Sequence, residues 1–372
     1  MTLINYSSLF SALGDLHSFL PSLFGSSWAF PPLFVQIEVT HRCNAGCPMC
    51  YQSNKLDVKA EMSQVEIRQI IDQVPRWSVL SLTGGEPFLR EDFSEILEYG
   101  LKKRKCTTLT NASLVMESHI EMMVRDKLML IAVSIDGIGA THDGIRRSPG
   151  LFDKAVETIL AIQEEKKKRN SRFPLIDIKT VILKENLGQL VDILALADSL
   201  GVDFITFSVP RAMGNLYSAP YREDIREICQ SPPAYPGLAD DDLVLLTRQV
   251  SRLRTYSGKT KIRFYPANML NEMVLEKFYR QKLSPHDFQA CSLPWSRVSI
   301  SPHGDVYPCL SYLVGNARRE SLGGIWNGPR FREFRKCLDR KRLPDFCLGC
   351  CNSVCRVRSM DLPGSISEDR ES

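Results

Sequence analysis

Strands and helices alternate along residues 33–209, and this alternation restricts the fold more than any other feature of the sequence. Six apolar runs have the length and composition of buried strands, and the segments between them carry apolar residues at helical spacing. The first of these helices is expected to begin at Ser63-Gln64-Val65-Glu66, which matches a capping box. The expected strands are 33–39, 78–83, 106–110, 130–136, 176–183 and 204–209. Such an order predicts a parallel sheet covered by helices. Six strands are fewer than the eight of a complete barrel.

Three cysteines follow the first expected strand within one short loop. Cys43, Cys47 and Cys50 have the spacing C-x-x-x-C-x-x-C. Iron-sulfur clusters held by cysteine usually take four thiolates from the protein, so a four-iron cluster held here would keep one open iron. A structural zinc site with His41 as its fourth ligand is one alternative, and buried free cysteines are another.

A second motif comes directly after the second expected strand, where the chain reads Gly84-Gly85-Glu86-Pro87. Two glycines at the end of a strand let the backbone come close to a ligand. The carboxylate of Glu86 can accept a hydrogen bond from an ammonium group.

The cysteine spacing, followed one strand later by Gly-Gly-Glu-Pro, resembles the radical SAM superfamily. The resemblance implies an α/β fold, a partial (β/α)6 barrel. It also implies that S-adenosylmethionine chelates the open iron of a 4Fe-4S cluster and is cleaved to a 5'-deoxyadenosyl radical. Cys43, Cys47 and Cys50 would be the catalytic cluster ligands. The residues implied to bind the cofactor are Met49, Gly84, Gly85, Glu86, Pro87, Asn111, Ser134 and Arg146, with Arg147 as the alternative to Arg146. His142, Arg146 and Arg147 are expected in the loop that follows the fourth strand.

A further group of cysteines lies near the C-terminus. Alternating residues on both sides of Pro302-His303-Gly304 predict a β-hairpin, with Cys291 before its first strand and Cys309 after its second. An amphipathic helix is expected around 331–338, and Cys347 and Cys350 form a C-x-x-C pair after it. Four thiolates can close an iron-sulfur cluster, and a rubredoxin-like iron or zinc knuckle is the alternative.

This second group resembles the shortened, one-cluster twitch version of the SPASM extension of radical SAM enzymes. The resemblance implies an auxiliary 4Fe-4S cluster with Cys291, Cys309, Cys347 and Cys350 as ligands. Cys351 or Cys355 would replace one of them or hold an incomplete second cluster.

Composition and motifs together predict five segments. They are an apolar helical extension at 1–32, the barrel at 33–230, a linker helix and strand at 231–285, the auxiliary-cluster domain at 286–356 and a polar tail at 357–372. The extension is expected to cover the open side of the barrel. Contact of residues 1–32 with a membrane surface is disfavoured because this stretch carries no Lys or Arg.

The charge balance and the cysteine pattern restrict partners and compartment. A net charge of +4 without a basic run among aromatic residues gives no reason to expect a nucleic-acid partner. Twelve cysteines, clustered at C-x-x-C spacing and without a secretory signal, indicate a reducing compartment and therefore a cytoplasmic protein.

A closed auxiliary cluster can accept one electron from a substrate radical. We therefore expect a radical SAM oxidoreductase that carries out a two-electron oxidation or bond formation on a small molecule or natural-product intermediate, with flavodoxin or ferredoxin as electron donor. About 30 residues precede the first strand, too few for a leader-binding winged-helix domain, which favours a small molecule over a peptide substrate. Peptide modification, a redox-neutral epimerisation with Cys229 or Cys337 as hydrogen donor, and a non-catalytic electron carrier are the alternatives.

Overall fold

The strands of the protein form one continuous sheet. The computed structural model describes residues 26–50, 60–210, 237–265, 271–288, 291–309, 312–338, 347 and 350. Its strands are β1 (Phe34–Thr40), β2 (Val79–Gly84), β3 (Lys105–Thr110), β4 (Leu130–Ser134), β5 (Leu175–Val181), β6 (Phe204–Ser208), β7 (Lys261–Tyr265), β8 (Arg297–Ile300), β9 (Asp305–Tyr307) and β10 (Gly315–Asn316). Their order in the sheet is β10-β9-β8-β1-β2-β3-β4-β5-β6-β7.

Strands β1 to β7 are parallel and lie side by side in chain order. The helices of the described residues are α1 (Gln64–Gln73), α2 (Phe93–Lys103), α3 (Glu117–Arg125), α4 (Ala140–Arg146), α5 (Leu151–Lys168), α6 (Leu190–Ser199), α7 (Asp240–Arg254), α8 (Glu272–Tyr279), α9 (Leu322–Trp326) and α10 (Pro329–Cys337). Connections between parallel strands need crossovers of this kind. The α/β partial barrel expected from the sequence is confirmed.

The core lies between one face of the sheet and the helices. Alternate residues of each strand point to this face, as the two-residue period of a strand requires. Ile37, Leu82, Ile131, Ile178 and Ile205 are fully buried there and belong to one apolar cluster with the helices. The other face of the parallel strands carries mainly polar side chains, and it is the face on which ligands can lie.

Helix α1 begins as its sequence predicts. The Ser63 hydroxyl accepts from the backbone N–H of Glu66, while the Glu66 carboxylate accepts from the backbone N–H of Ser63. This reciprocal capping box satisfies two of the donors that a helix N-terminus leaves open.

The C-terminal hairpin joins the barrel sheet directly. Strand β8 pairs in parallel with β1 through the register Gln36 to Ser299, and β9 and β10 continue antiparallel from it. The hairpin and helix α10 were expected from the sequence. Strand β7 was expected to belong to a linker, but it pairs along its whole length with β6. The parallel sheet therefore has seven strands from β1 to β7, one more than predicted.

A buried arginine ties residues 26–30 to the C-terminal part of the structure. Arg335 is 1% exposed and donates to the carbonyl oxygens of Pro294 and Ser27 and to the side-chain oxygen of Asn327. Its guanidinium lies 4.6 Å from the centroid of the Trp326 ring. Burial, followed by the charge of Arg332, lowers the pKa of Arg335 to about 9. The guanidinium therefore joins three separate segments of the chain by hydrogen bonds.

Residues 1–25 and 351–372 lie outside the described residues. The expectation that the N-terminal extension covers the barrel and the expectation of a polar tail at 357–372 therefore stay predictions. Among the residues that the structure describes, every helix is too short or too polar to span a bilayer.

We predict that Arg335→Met lowers the free energy of unfolding by about 2–4 kcal/mol, because three buried acceptors lose their donor. Lys336→Met changes an exposed neighbour on the same helix and should shift it by less than about 0.5 kcal/mol. Urea unfolding followed by fluorescence measures both. Equal stability of the two variants would contradict a stabilising role for the hydrogen bonds of Arg335.

Candidate iron-sulfur and cofactor site

The cysteine loop begins where β1 ends, at the carboxyl edge of the parallel strands. Ligands in folds of this kind sit at that edge. Cys43 is exposed, Cys50 is partly exposed and Cys47 is buried. The backbone N–H of Cys50 donates to the carbonyl oxygen of Cys47 at 3.1 Å, so the last four residues of the motif form a turn.

The three thiols lie close enough to affect one another electrostatically. Although the Cys43 residue is exposed as a whole, partial desolvation of its sulfur raises the pKa of the thiol, and Glu86, Cys47 and Cys50 raise it further. Burial also raises the pKa of Cys47, while the positive charge of Arg146 opposes that shift. Cysteine thiols bind metal only after they lose their proton. A cationic cluster that replaces the lost solvation therefore suits these three thiols.

The Gly-Gly-Glu-Pro loop packs backbone to backbone against the cysteine loop. The N–H of Gly85 donates to the carbonyl oxygen of Thr40 at 2.8 Å, and the N–H of Glu86 donates to the carbonyl oxygen of Arg42 at 2.9 Å. A Cβ at Gly85 would overlap the Arg42 carbonyl oxygen and lie 2.8 Å from that of His41. The glycine is therefore required by the contact between the two loops, a reason that the sequence pattern did not reveal.

Glu86 is fully buried and joins the ends of two strands. Its Oε1 accepts from the Thr110 hydroxyl at 2.7 Å and from the N–H of Phe88 at 3.2 Å, and its Oε2 accepts from the N–H of Asn111 at 2.7 Å. Burial raises the pKa of Glu86 to about 7, against the effect of these hydrogen bonds. The carboxylate thus fixes the Gly-Gly-Glu-Pro loop to the end of β3. A further contact with a cofactor ammonium stays a prediction.

Asn111 connects the same region to the cysteine loop. Its amide donates to the side-chain oxygen of Asn44 at 2.9 Å, and the Asn44 amide donates to the Ser113 hydroxyl at 2.8 Å. Pro87 is buried at the start of a 3-10 turn, and Met49 is partly exposed beside Cys50. Asn111 and the Gly-Gly-Glu-Pro loop thus adjoin the cysteine loop, as expected for one site.

Arg146 lies on helix α4, although the sequence placed it in a loop. Its guanidinium pairs with the buried carboxylate of Asp136, with 2.5 Å between Nη2 and Oδ2. Its carbonyl oxygen accepts from the N–H of Gly46 at 3.0 Å, so the end of α4 supports the cysteine loop. Arg147 is exposed. Ser134, 7% exposed, closes β4 on the polar face of the sheet. Whether either arginine or Ser134 contacts the cofactor stays a prediction.

The C-terminal thiols also come together. Burial raises the pKa of Cys291 to about 12, and the nearby thiols of Cys350 and Cys309 contribute to this increase. The N–H of Cys350 donates to the carbonyl oxygen of Cys347 at 3.1 Å, as in a C-x-x-C turn. Cys351 and Cys355, the alternative ligands, lie outside the described residues. A group of three or more Cys, His, Asp or Glu side chains arranged around a single ion is not found in the described part of the chain.

The comparisons with known proteins agree with both thiol groups. The radical SAM superfamily model matches residues 37–197, and the SPASM iron-sulfur cluster-binding domain model matches residues 291–351. The chain carries a radical SAM domain and a C-terminal SPASM domain. These two domains imply S-adenosylmethionine and 4Fe-4S clusters as its cofactors.

The relatives differ in what they make. An AdoMet-dependent heme synthase of Methanosarcina barkeri is 27% identical over 356 residues, which cover 91% of this chain and 95% of that protein. A PqqA peptide cyclase of Xanthomonas campestris pv. campestris is 26% identical over 358 residues, covering 90% of this chain and 84% of the cyclase. Streptococcus suis SuiB bound to S-adenosylmethionine has the same fold, with a TM-score of 0.62 and 17% identity, covering 91% of this chain and 74% of SuiB.

His142 is a site residue whose burial the sequence did not predict. It is fully buried on α4, and its Nδ1 accepts from the backbone N–H of Asp136 at 3.0 Å. Burial, followed by the charge of Arg146, lowers the pKa of His142 to about 4. The imidazole is therefore neutral at pH 7, and its Nδ1 can accept the hydrogen bond from Asp136.

We predict that Gly85→Ala lowers the free energy of unfolding by about 1–3 kcal/mol and reduces the iron bound per chain, because the added Cβ forces the two loops apart. Gly323→Ala is the matched control, since a Cβ there has no neighbour within 4 Å. Urea unfolding and iron quantitation after anaerobic reconstitution check both. A Gly85→Ala protein with wild-type stability and iron content would show that the loop contact is dispensable.

We predict a loss of stability as the pH falls from 6.5 to 4, because the folded-state pKa of His142, about 4, is below its unfolded value of 6.5. Stability from the neutral imidazole is complete above the unfolded pKa and falls by about 3 kcal/mol across this window. His142→Asn should reduce the pH dependence by that amount, whereas His286→Asn, at an exposed histidine, should not. Identical pH profiles of wild type and His142→Asn, from urea unfolding at several pH values, would refute this prediction.

Proposed function

We propose that this protein is a radical SAM oxidoreductase that removes two electrons from a small-molecule or natural-product intermediate. The observation that carries the proposal is the junction of the two motif loops. Cys43, Cys47 and Cys50 leave the end of β1, and the Gly-Gly-Glu-Pro loop is hydrogen-bonded to the same backbone. A redox cluster and an amino-acid cofactor can therefore be held side by side.

In this proposal the three thiols hold a 4Fe-4S cluster and leave one iron for S-adenosylmethionine. When bound, that cluster supplies the electron that cleaves the sulfonium to methionine and a 5'-deoxyadenosyl radical. The protein's own part is to orient the cofactor. Asn111 and Glu86 fix the strand ends around it, and the charge of Arg146 favours the thiolate of Cys47.

The auxiliary site completes the electron balance. The substrate would lose one hydrogen atom to the deoxyadenosyl radical that bound S-adenosylmethionine supplies, and then one proton to solvent and one electron. Cys291, Cys309, Cys347 and Cys350 would hold a closed cluster that accepts this electron. A flavodoxin or ferredoxin would supply the electron consumed in each cofactor cleavage. The overall result is a substrate oxidised by two electrons, with 5'-deoxyadenosine and methionine released.

The relatives support two substrate classes. The heme synthase of Methanosarcina barkeri, named for a product that is not a peptide, matches over 95% of its length. Peptide modification is the second candidate. PqqA peptide cyclases recur among the relatives, and SuiB, of the same fold, has been solved with its precursor peptide SuiA. The first class requires the substrate to fit within the barrel, and the second requires a peptide to enter it.

We predict about eight irons per chain after anaerobic reconstitution of the wild type and about four in a Cys43→Ala, Cys47→Ala, Cys50→Ala triple variant. Dithionite should drive formation of 5'-deoxyadenosine only in the wild type, because only it keeps the open iron. Iron and sulfide quantitation and chromatographic detection of 5'-deoxyadenosine measure these outcomes.

Cys337→Ala is the control, because this cysteine belongs to neither expected ligand set. It should retain about eight irons and form 5'-deoxyadenosine. Bound zinc in place of iron, or no 5'-deoxyadenosine from the wild type, would exclude the radical SAM chemistry proposed here.

A further inference from the structure

The polar face of strands β5, β6 and β7 carries a charged cluster that the cofactor site does not use. Ile176 and Ile178 of β5 point to the helices and are fully buried. Asp177 and Lys179 therefore point to the opposite face, because successive side chains alternate. The register places Thr206 beside Lys179 and Arg263 beside Thr206, so all of these side chains share that face.

One carboxylate holds this cluster together. Asp177 is fully buried, and its Oδ2 lies 2.8 Å from the Lys179 ammonium and 2.6 Å from Nη2 of Arg263. Its Oδ1 accepts from the Thr206 hydroxyl at 2.8 Å. Three side chains on the same face, Lys179, Arg263 and Thr206, thus fix the position of the carboxylate.

The two cations are not used up by this carboxylate. The side chains of Lys179 and Arg263 are each 33% exposed, so both charges reach the open face. An ammonium has three donors and a guanidinium has five. The guanidinium of Arg263 also lies 3.8 Å from the centroid of the Phe204 ring, and its Nε is buried. Two cations against one carboxylate leave a surplus of one positive charge.

The cluster lies next to the expected cofactor site. Lys179 is the direct register partner of Ser134, and neighbouring strands are about 4.8 Å apart. The ring of Tyr265 lies 5.2 Å from the Lys179 ammonium and is 41% exposed. On the other side of Asp177, Ala132 of β4 is its register partner, and Leu109 of β3 pairs in turn with Ala132. Leu109 is 38% exposed. An apolar surface and an aromatic ring therefore flank the cations.

We propose that Lys179 and Arg263 bind a carboxylate group of the substrate on this face, beside Ser134. This inference rests on the proposed function, because it places the substrate next to the cofactor. A carboxylate fits the site because it can accept from the ammonium and from the guanidinium together, and charge-assisted hydrogen bonds of this kind are strong. Asp177 then acts as the positioning residue that holds the two cations side by side when the substrate is absent, because its Oδ2 contacts both.

The same chemistry can come from two sources, a small carboxylic acid or an acidic side chain of a peptide. Calorimetric titrations of the reconstituted, full-length protein under anaerobic conditions distinguish them. The small-molecule probes are glutarate and its uncharged counterpart glutaramide. The peptide probes are N-acetyl-Ala-Glu-Ala-amide and the same peptide with Gln. Ionic strength is matched throughout with sodium chloride, because exposed charges are screened by salt.

We expect at least one charged probe to bind, with its uncharged counterpart at least about tenfold weaker. Lys179→Gln should weaken that binding by about tenfold, because one of the two cations is lost. Lys154→Gln, which removes an exposed lysine paired with Glu157 at 2.7 Å, should bind as the wild type does. Thermal unfolding verifies that each variant is folded.

Three results would overturn the inference. The charged and uncharged probes could bind equally, Lys179→Gln could bind as Lys154→Gln does, or saturating S-adenosylmethionine could abolish glutarate and peptide binding. The last result would assign the cations to the cofactor's own carboxylate. Formation of 5'-deoxyadenosine by the wild type is measured on the same preparation without probes. Product without probe binding rejects only the carboxylate site, whereas probe binding without product rejects only the proposed function.

Discussion

The contact on which the candidate site depends is a pair of backbone hydrogen bonds between two loops. The N–H groups of Gly85 and Glu86 donate to the carbonyl oxygens of Thr40 and Arg42. Because backbone atoms make this contact, it fixes the path of both loops without using side chains. The three thiols stay available for a cluster, and the Glu86 carboxylate stays available for its hydrogen bonds to the end of β3. Glycine is needed because any side chain at position 85 would enter the space of the Arg42 carbonyl.

The second organising feature is that the two domains share one sheet. Strand β8 lies parallel to β1, so the carboxyl ends of both strands face the same way. Cys291 precedes β8 and Cys309 follows the antiparallel β9, which places both at the amino end of β8. The cysteine loop after β1 lies at the opposite end. Four residues of β8, at roughly 3.3 Å each, give a strand of about 13 Å between the two ends. In the proposed reaction, a substrate on the polar face would lie between the two thiol groups.

The sequence predicted the local elements well because their signals are local. The six strands, the capping box of α1, the C-terminal hairpin and helix α10 all follow from apolar period, capping residues and turn residues. Helix α4 was missed because it is only seven residues long, contains Gly144 and begins after Gly139 without a side-chain cap. Its side chains Arg146 and His142 were therefore expected in a loop.

Pairing between distant strands has no such signal. The contact of β8 with β1 joins residues more than 250 positions apart, and nothing in either strand specifies its partner. The place of β7 beside β6 was missed for the same reason. Asp177, Lys179 and Arg263 look like ordinary strand residues until the register brings them together on one face. The motifs predict which thiols come together, whereas the charged cluster becomes visible only once the register of the strands is known.

The arrangement of charge on the polar face has a consequence for the substrate. Buried ion pairs contribute little to stability, since desolvation offsets their attraction. The Asp177 cluster is therefore a weak explanation for how β5, β6 and β7 stay together, because the backbone ladder already joins them. Two cations kept partly exposed around a single buried carboxylate are better explained by recognition of an anion. Any substrate for this barrel should then present a carboxylate at a fixed distance from the carbon that loses hydrogen, whether that carboxylate belongs to a small molecule or a peptide. The position of Lys179 beside Ser134 makes this distance short, so the carboxylate would orient the reacting carbon toward the cofactor.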